Sequence, residues 1–287
     1  MNDNIVITSD STTDLTEELK ERYNIKILPL GITLGDKTYR DGVDIKPDDI
    51  YEHQEKTGEL PKTTATNVGE CIDFFSKFTN EGKTVIHFSL CSKMSSTYNN
   101  ACIAASELEN VYIIDTQNLS TGAGLLVISA AEMVRSGLDA KTVVEETNKL
   151  IDKVDASFVL SSLEYLHKGG RCSALSVLGA NLLKLKPCIE VKDGVMGVGK
   201  KYRGKYSDVV REYVLDRLSN PDDICLDRVF VTHSGCDMQL MDEITNLVKE
   251  TLPFKEVFFA RAGCTISSHC GPNTMGVLFI RKTPIVK

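Results

Sequence analysis

Three short stretches of this 287-residue chain carry most of its chemical potential. The first is "AGCTISSHCGPNTMG" (262–276), which sets His269, one of only five histidines, between Ser268 and Cys270. Gly271 and Pro272 directly after it predict a loop following a strand, not a helix interior. A histidine there can donate to or accept from a ligand near neutral pH. The second stretch is "SLCSKMSSTYNN" (89–100), where a strand is predicted to end at Leu90 and a helix to begin near Ser95. Ser95, Ser96 and Thr97 therefore sit where unpaired backbone N–H groups and the helix dipole favour an anion. Plain N-capping by Ser95 or Ser96 accounts for the same residues without a ligand. The third, "LPKTTATN" (60–67), places Thr63, Thr64 and Thr66 between Pro61 and the next helix, where turn and cap chemistry explains them equally well. His87 in "VIHFSL" is read as a core residue with its polar atoms satisfied.

Other chemistries lack their signatures. "GVMGVGKKYRG" (194–204) follows a hairpin and lacks the spacing of a phosphate-binding loop, and "TGAG" (121–124) is not a dinucleotide fingerprint. No G-x-S-x-G elbow occurs. Cys264, His269 and Cys270 lie close together without a zinc-ligand spacing. An independent hydrolase using Cys264 or Cys270 with His269 stays open as an alternative.

The elements that would position these residues follow a clear rhythm. "NIVITSD" (4–10), "TVIHFSL" (84–90) and "VYIIDT" (111–116) read as strands, each followed by a helical pattern, which is the signature of a parallel sheet covered by helices. Asp14 with Glu17 reads as a capping box for the first helix. "LPLGITLGDKTYRDGVDI" (28–45) reads as extended pieces with turns, part of a small appendage at about 30–60. After a helix near 140–153 the pattern changes. A strand, a short helix stopped by Gly169-Gly170, a hairpin about Asp193-Gly194, helices at 205–219 and 236–251 and three further strands predict a mixed sheet. The expected fold is α/β, with an N-terminal three-layer α/β/α domain (1–155) and a C-terminal α/β domain (156–287).

Composition bounds the function classes. At 42% hydrophobic and 25% charged residues the chain is an ordinary globular protein, and its net charge of −7 argues against unspecific binding to nucleic acid or anionic lipid. The longest apolar run, "LLVISAA" (125–131), is too short to span a bilayer, and the acidic N-terminal residues do not match a secretory signal. A cytoplasmic protein without integral membrane association is expected. Nine scattered cysteines, with no C-x-x-C pair, predict reduced and mostly buried thiols.

Read in order, "VITSDSTTDL", "LPLGITLGDKTYRDGVDI", "PKTTATN", "SLCSKMSSTYNNA", "YIIDTQNLSTGAGLL", "SSLEYLHKGGRCS", "GKKYRGK" and "SSHCGPNTMGV" resemble the successive motifs of the bacterial DegV family over nearly the whole chain. The resemblance implies a two-domain protein that holds one long-chain fatty acid, such as palmitate, between its domains. It implies the fatty-acid-binding subunit of a fatty acid kinase, feeding phospholipid synthesis, with no turnover and no cofactor of its own. The partner would be a separate ATP-dependent kinase protein that converts the acid to acyl phosphate. By the same resemblance Thr63, Ser95, the amide of Ser96 and His269 hold the carboxylate. Arg171 and Arg203 dock the kinase, with Lys200 and Lys201 as supports. Ser96, Thr64 and Asn273 depart from the family's usual residues at those positions, and Ser267 and Ser268 replace a typical glycine. Two rival readings accompany this one: an enzyme forming a covalent adduct through histidine, like a dihydroxyacetone kinase, and a regulatory module whose bound lipid is a signal.

Overall fold

The computed structural model describes residues 4–173 and 185–285. The chain opens with strand β1 (Ile5–Asp10), helix α1 (Glu17–Tyr23) and β2 (Lys26–Leu28). Next come β3 (Gly31–Leu34), β4 (Lys37–Arg40), α2 (Pro47–Thr57) and β5 (Lys62–Thr64). The regular alternation resumes with α3 (Val68–Thr79), β6 (Thr84–Ser89), α4 (Thr97–Ser106), β7 (Val111–Asp115), α5 (Ser120–Arg135) and α6 (Ala140–Asn148). The remainder is β8 (Val154–Leu160), α7 (Glu164–Gly169), β9 (Lys186–Lys192), β10 (Val195–Tyr202), α8 (Tyr206–Arg217), β11 (Ile224–Ser234), α9 (Met238–Thr251), β12 (Glu256–Arg261), α10 (Cys264–Cys270) and β13 (Thr274–Arg281).

The α/β class and the order of the sheets are as the sequence predicts. A four-stranded sheet in the order β2-β1-β6-β7 is parallel throughout. A six-stranded mixed sheet runs β10-β9-β8-β13-β11-β12, with β11 and β12 as its parallel pair. β3, β4 and β5 make a small antiparallel sheet in the segment read as an appendage, which also contains α2. Residue 155 falls on β8, the first strand of the mixed sheet in chain order.

Period-two alternation explains how the parallel sheet is covered. On β6, Val85 faces α3 and α4 beside Cys71, Phe75 and Ala101, whereas Ile86 and Phe88 join the cluster on the opposite face. His87 points to the Val85 side and packs on the Phe75 ring with centroids 5.0 Å apart. Its Nδ1 bonds Thr8 Oγ1 at 2.9 Å, but Nε2 has no partner among the described residues, so the core histidine is only half satisfied. Burial pushes that imidazole down to about 3.

Helix α5 is the centre of the molecule. Twelve of its sixteen residues are buried, and its side chains join one apolar cluster containing Ile7 and Phe88 of the parallel sheet with Phe158, Phe230 and Leu278 of the mixed sheet. The far face of the mixed sheet is closed by α8 and α9 through Val159, Tyr213, Val231, Met241 and Ile244. The "TGAG" sequence, which is no nucleotide motif, is explained by this crowding. A methyl group at Gly124 would stand 2.9 Å from Leu15 Cδ2 and 3.0 Å from the carbonyl oxygen of Thr13.

One local reading is corrected. Helix α1 is capped by Thr16, whose hydroxyl accepts from Leu19 N at 3.3 Å, and not by Asp14. Asp14 instead adopts a left-handed conformation (φ 50°) that turns its carboxylate into the interior. All nine cysteines are free thiols and seven are buried. Among the described residues no helix is long and apolar enough to cross a membrane.

Replacing glycine by alanine in an uncrowded helix is favourable by about 1 kcal/mol. Because backbone and side-chain atoms already occupy that space, Gly124→Ala is expected to destabilise the protein by about 1–3 kcal/mol. Urea unfolding measures the difference, and a gain in stability would contradict the close approach of α5 to the Thr13–Leu15 segment.

Candidate functional site

The three hydroxyl-rich stretches, far apart in sequence, meet at one cavity of about 380 Å³. Thr63 arrives on β5, paired with Ile32 of β3. Ser95 and Ser96 come from the turn between β6 and α4, and His269 from α10. Arg171, just beyond α7, lines the same cavity. Much of the remaining wall is apolar, including Leu90, Met94, Leu119, Leu166, Met196 and Ile266.

His269 lies in a helix and not in the loop that Gly271-Pro272 predicts. The prediction fails because this short helix tolerates polar residues by turning their hydroxyls onto backbone carbonyls. Ser268 Oγ donates to Cys264 O at 2.7 Å and Ser267 Oγ to Ala262 O at 3.1 Å. Seven residues are too few to make a stable helix alone, so its first amides need partners from elsewhere. Asp41 accepts from Cys264 N at 2.8 Å, Thr265 N at 3.0 Å and the Thr265 hydroxyl at 2.6 Å. Asp14 accepts from Gly263 N at 2.8 Å and from Ser120 Oγ at 2.5 Å. Two acidic side chains from the first 41 positions of the chain thus hold the N-terminus of the helix that carries His269.

At the other end of α10 the His269 ring sits against the end of α7. A Cβ on Gly169 would come within 2.5 Å of His269 Nδ1, so only glycine leaves room for the ring. Nε2 bonds Thr63 Oγ1 at 2.9 Å, and Nδ1 is buried without a hydrogen-bond partner among the described residues. Burial first, then the nearby Arg171 charge, lowers the imidazole to about 4. The ring is therefore neutral at pH 7, and carrying its proton on Nε2 keeps that proton in a hydrogen bond. Thr63 then accepts from His269 and retains its own hydroxyl hydrogen for a guest. Ser95 is set up in the same manner, because its Oγ accepts from Thr97 N at 3.2 Å and lies 2.9 Å from the Thr97 hydroxyl. With Thr97 donating, the Ser95 hydrogen is free as well.

Ser96 is exposed and is the first flanking residue of α4, with no side-chain cap bond. The capping that could have explained both serines belongs to Ser95 alone. Arg171 Nη1 donates to Gly169 O at 2.8 Å and Nε lies 3.5 Å from Met94 O, so its guanidinium bridges the rim beside Ser95. Arg203 is exposed just after β10 and does not line the cavity. Lys200 is ion-paired with Glu212 and Asp216 at 3.0 and 2.5 Å, which engages it within its own surface; Lys201 is exposed on β10. Asn100 and Thr265 also line the cavity and were not evident from sequence. The i, i+4 pairs Thr265–His269 and Ile266–Cys270 would have marked one helical face had the segment been read as a helix.

The arrangement does not favour thiol chemistry. Cys264 donates to Ile45 O at 3.4 Å and Cys270 is buried. Burial raises both thiols, that of Cys270 to about 12, so both stay protonated at neutral pH. Neither bonds His269. Among the described residues no group of three or more His, Cys, Asp or Glu could hold a metal ion.

Comparison with known proteins places this architecture. The family model of the DegV family matches residues 4–282. A DegV domain-containing protein of Caldanaerobacter subterraneus subsp. tengcongensis is 31% identical over 281 residues, covering 97% of this chain and 99% of the relative. Among solved structures, a DegV family protein from Thermus thermophilus, described by its fatty acid binding, superposes with a TM-score of 0.89 at 27% identity, covering 97% of this chain and 99% of that one. A stearic acid-binding protein from Eubacterium ventriosum gives a TM-score of 0.83 at 29% identity, covering 96% of this chain and 98% of that one.

The anchoring of α10 has a pH signature. Burial raises the Asp14 carboxyl to about 8, whereas in the unfolded chain it would ionise near pH 4. The stability linked to that retained proton is complete at acid pH and is lost as pH rises through about 8. Asn suits the left-handed backbone and can accept from Gly263 N while donating to Ser120 Oγ. Asp14→Asn is therefore expected to flatten the decline of stability between about pH 4 and 8 relative to the parent chain, as followed by denaturant titrations across that range.

Proposed function

The chain belongs to the DegV family, and on that premise we propose that it binds one long-chain fatty acid, palmitate or a close relative, and presents its carboxylate to a separate ATP-dependent kinase. In this reading residues 1–155 and 156–287 are two domains with the acid between them. Thr63, Ser95, the Ser96 amide and His269 hold the carboxylate. The protein works in the cytoplasm without a cofactor and without turnover of its own, and the acyl phosphate made by the kinase enters phospholipid synthesis. The observation that carries the reading is a single cavity in which the Thr63 and Ser95 hydroxyls and the His269 ring share the lining with an extensive hydrocarbon wall.

The energetics divide the work between the two ends of the ligand. Burying roughly fourteen methylenes at about 0.8 kcal/mol each gives on the order of 11 kcal/mol before ordering costs. Hydrogen bonds to a charged acceptor contribute about 1.5–3 kcal/mol each, which offsets desolvation of the carboxylate. Because His269 is neutral, the acid is held by hydrogen bonds and is not locked in a buried ion pair. That suits a group that must afterwards be phosphorylated. The tail supplies most of the affinity, and the head group fixes register. Arg203 and the rim residue Arg171 are the proposed contacts for the kinase.

The reconstituted pair tests this directly. Thr63→Ala and Ser95→Ala are each expected to lower acyl phosphate formation about tenfold or more, with an unchanged far-UV circular dichroism spectrum. Undiminished rates in both variants would remove these residues from the head-group site. Arg203→Glu, which lies off the cavity, is expected to raise the KM for the carrier in the kinase reaction while denaturing mass spectrometry finds the usual amount of co-purified acid. Loss of both together would count against a docking role.

A further inference from the structure

A second cavity of about 30 Å³ adjoins the first and shares Leu119, Ile266 and Cys270 with it. Beyond these three its apolar wall includes Ala156, Phe158 and Leu278. The hydroxyls that reach it are already engaged. Thr232 Oγ1 bonds Thr121 Oγ1 at 2.6 Å, Ser157 Oγ lies 2.8 Å from Tyr213 OH, and Ser120 Oγ donates to Asp14. Ser234 Oγ donates to Ser267 Oγ at 3.1 Å, and His233 Nδ1 accepts from Cys236 N at 3.3 Å. What this space offers a guest is therefore hydrocarbon contact, in a volume for on the order of two methyl-sized groups.

Of the three residues common to both cavities, Cys270 has the smallest side chain, and it is buried where they join. We propose that Cys270 is a specificity-determining residue: with Leu119 and Ile266 it forms a neck through which the end of an acyl tail enters the second cavity, so that acids long enough to thread it are selected over shorter ones. The inference rests on the fatty-acid reading above and adds to it the element that measures chain length. Each methylene buried beyond the neck favours the longer acid roughly fourfold. A side chain larger than cysteine at 270 would close the passage and remove that preference.

The test is competitive loading. The purified chain is incubated with an equimolar mixture of saturated acids from tetradecanoic to octadecanoic, and the bound acids are counted by denaturing mass spectrometry. Cys270→Leu is expected to lower the ratio of octadecanoic to tetradecanoic acid about tenfold or more, and Cys270→Ala to keep or raise it. Ala156→Leu, which fills the second cavity from the side of the mixed sheet, is expected to shift the ratio as Cys270→Leu does, and it decides the matter should Cys270→Leu fail to fold. Parental ratios in the folded plugging variants would overturn the neck. No uptake of any acid by the unaltered chain would instead overturn the fatty-acid reading itself.

Discussion

Everything at the cavity depends on two acidic side chains, Asp14 and Asp41, reaching across the molecule to the start of α10. A helix of seven residues cannot repay its own nucleation, and its leading amides need acceptors from outside it. Asp14 and Asp41 supply the missing acceptors. Because both belong to the N-terminal part of the chain, the orientation of His269 is set by residues more than two hundred positions away. Helix α5 is packed between the two large sheets, and its Ser120 donates to Asp14.

The same logic governs the polar side chains that face the cavity. Hydroxyls and an imidazole can be buried cheaply only when each has a partner. Here Thr63 and Ser95 each have a partner within the protein, whereas His269 Nδ1 has none among the described residues. Thr63 shares a hydrogen bond with His269 Nε2, and Ser95 accepts one from the start of α4. Arg171 lines the same cavity, so a cationic side chain stands beside these hydroxyls. The thiols nearby, raised by burial, stay protonated at neutral pH.

Much of the fold was legible because it rests on local patterns. The β-branched runs of β1, β6 and β7, the Gly169-Gly170 stop after α7 and the Asp193-Gly194 hairpin each carry their own signal. In the hairpin both turn residues adopt the left-handed backbone that this signal implies, at φ 50° and 69°. The errors share a cause. Asp14 has the right spacing for a cap, yet a distant backbone amide and Ser120 claim its carboxylate. The α10 segment has the composition of a loop, yet it folds as a helix because Asp14, Asp41 and its own serine-to-carbonyl bonds satisfy it. Arg171 and Arg203 look alike as basic residues in Gly-containing stretches, but the structure puts one at the rim of the cavity and the other away from it.

By itself the sequence determined the α/β class, the succession of a parallel and a mixed sheet, and the set of residues with chemistry to offer. Periodicity, turn residues and side-chain type are properties of a chain and need no knowledge of what lies beside it. Only the tertiary structure decided that Thr63, Ser95 and His269 share one cavity, that burial lowers the His269 imidazole, and that Cys270 lines both cavities. Those are consequences of which surfaces exclude water from one another, and burial is a property of the packed whole.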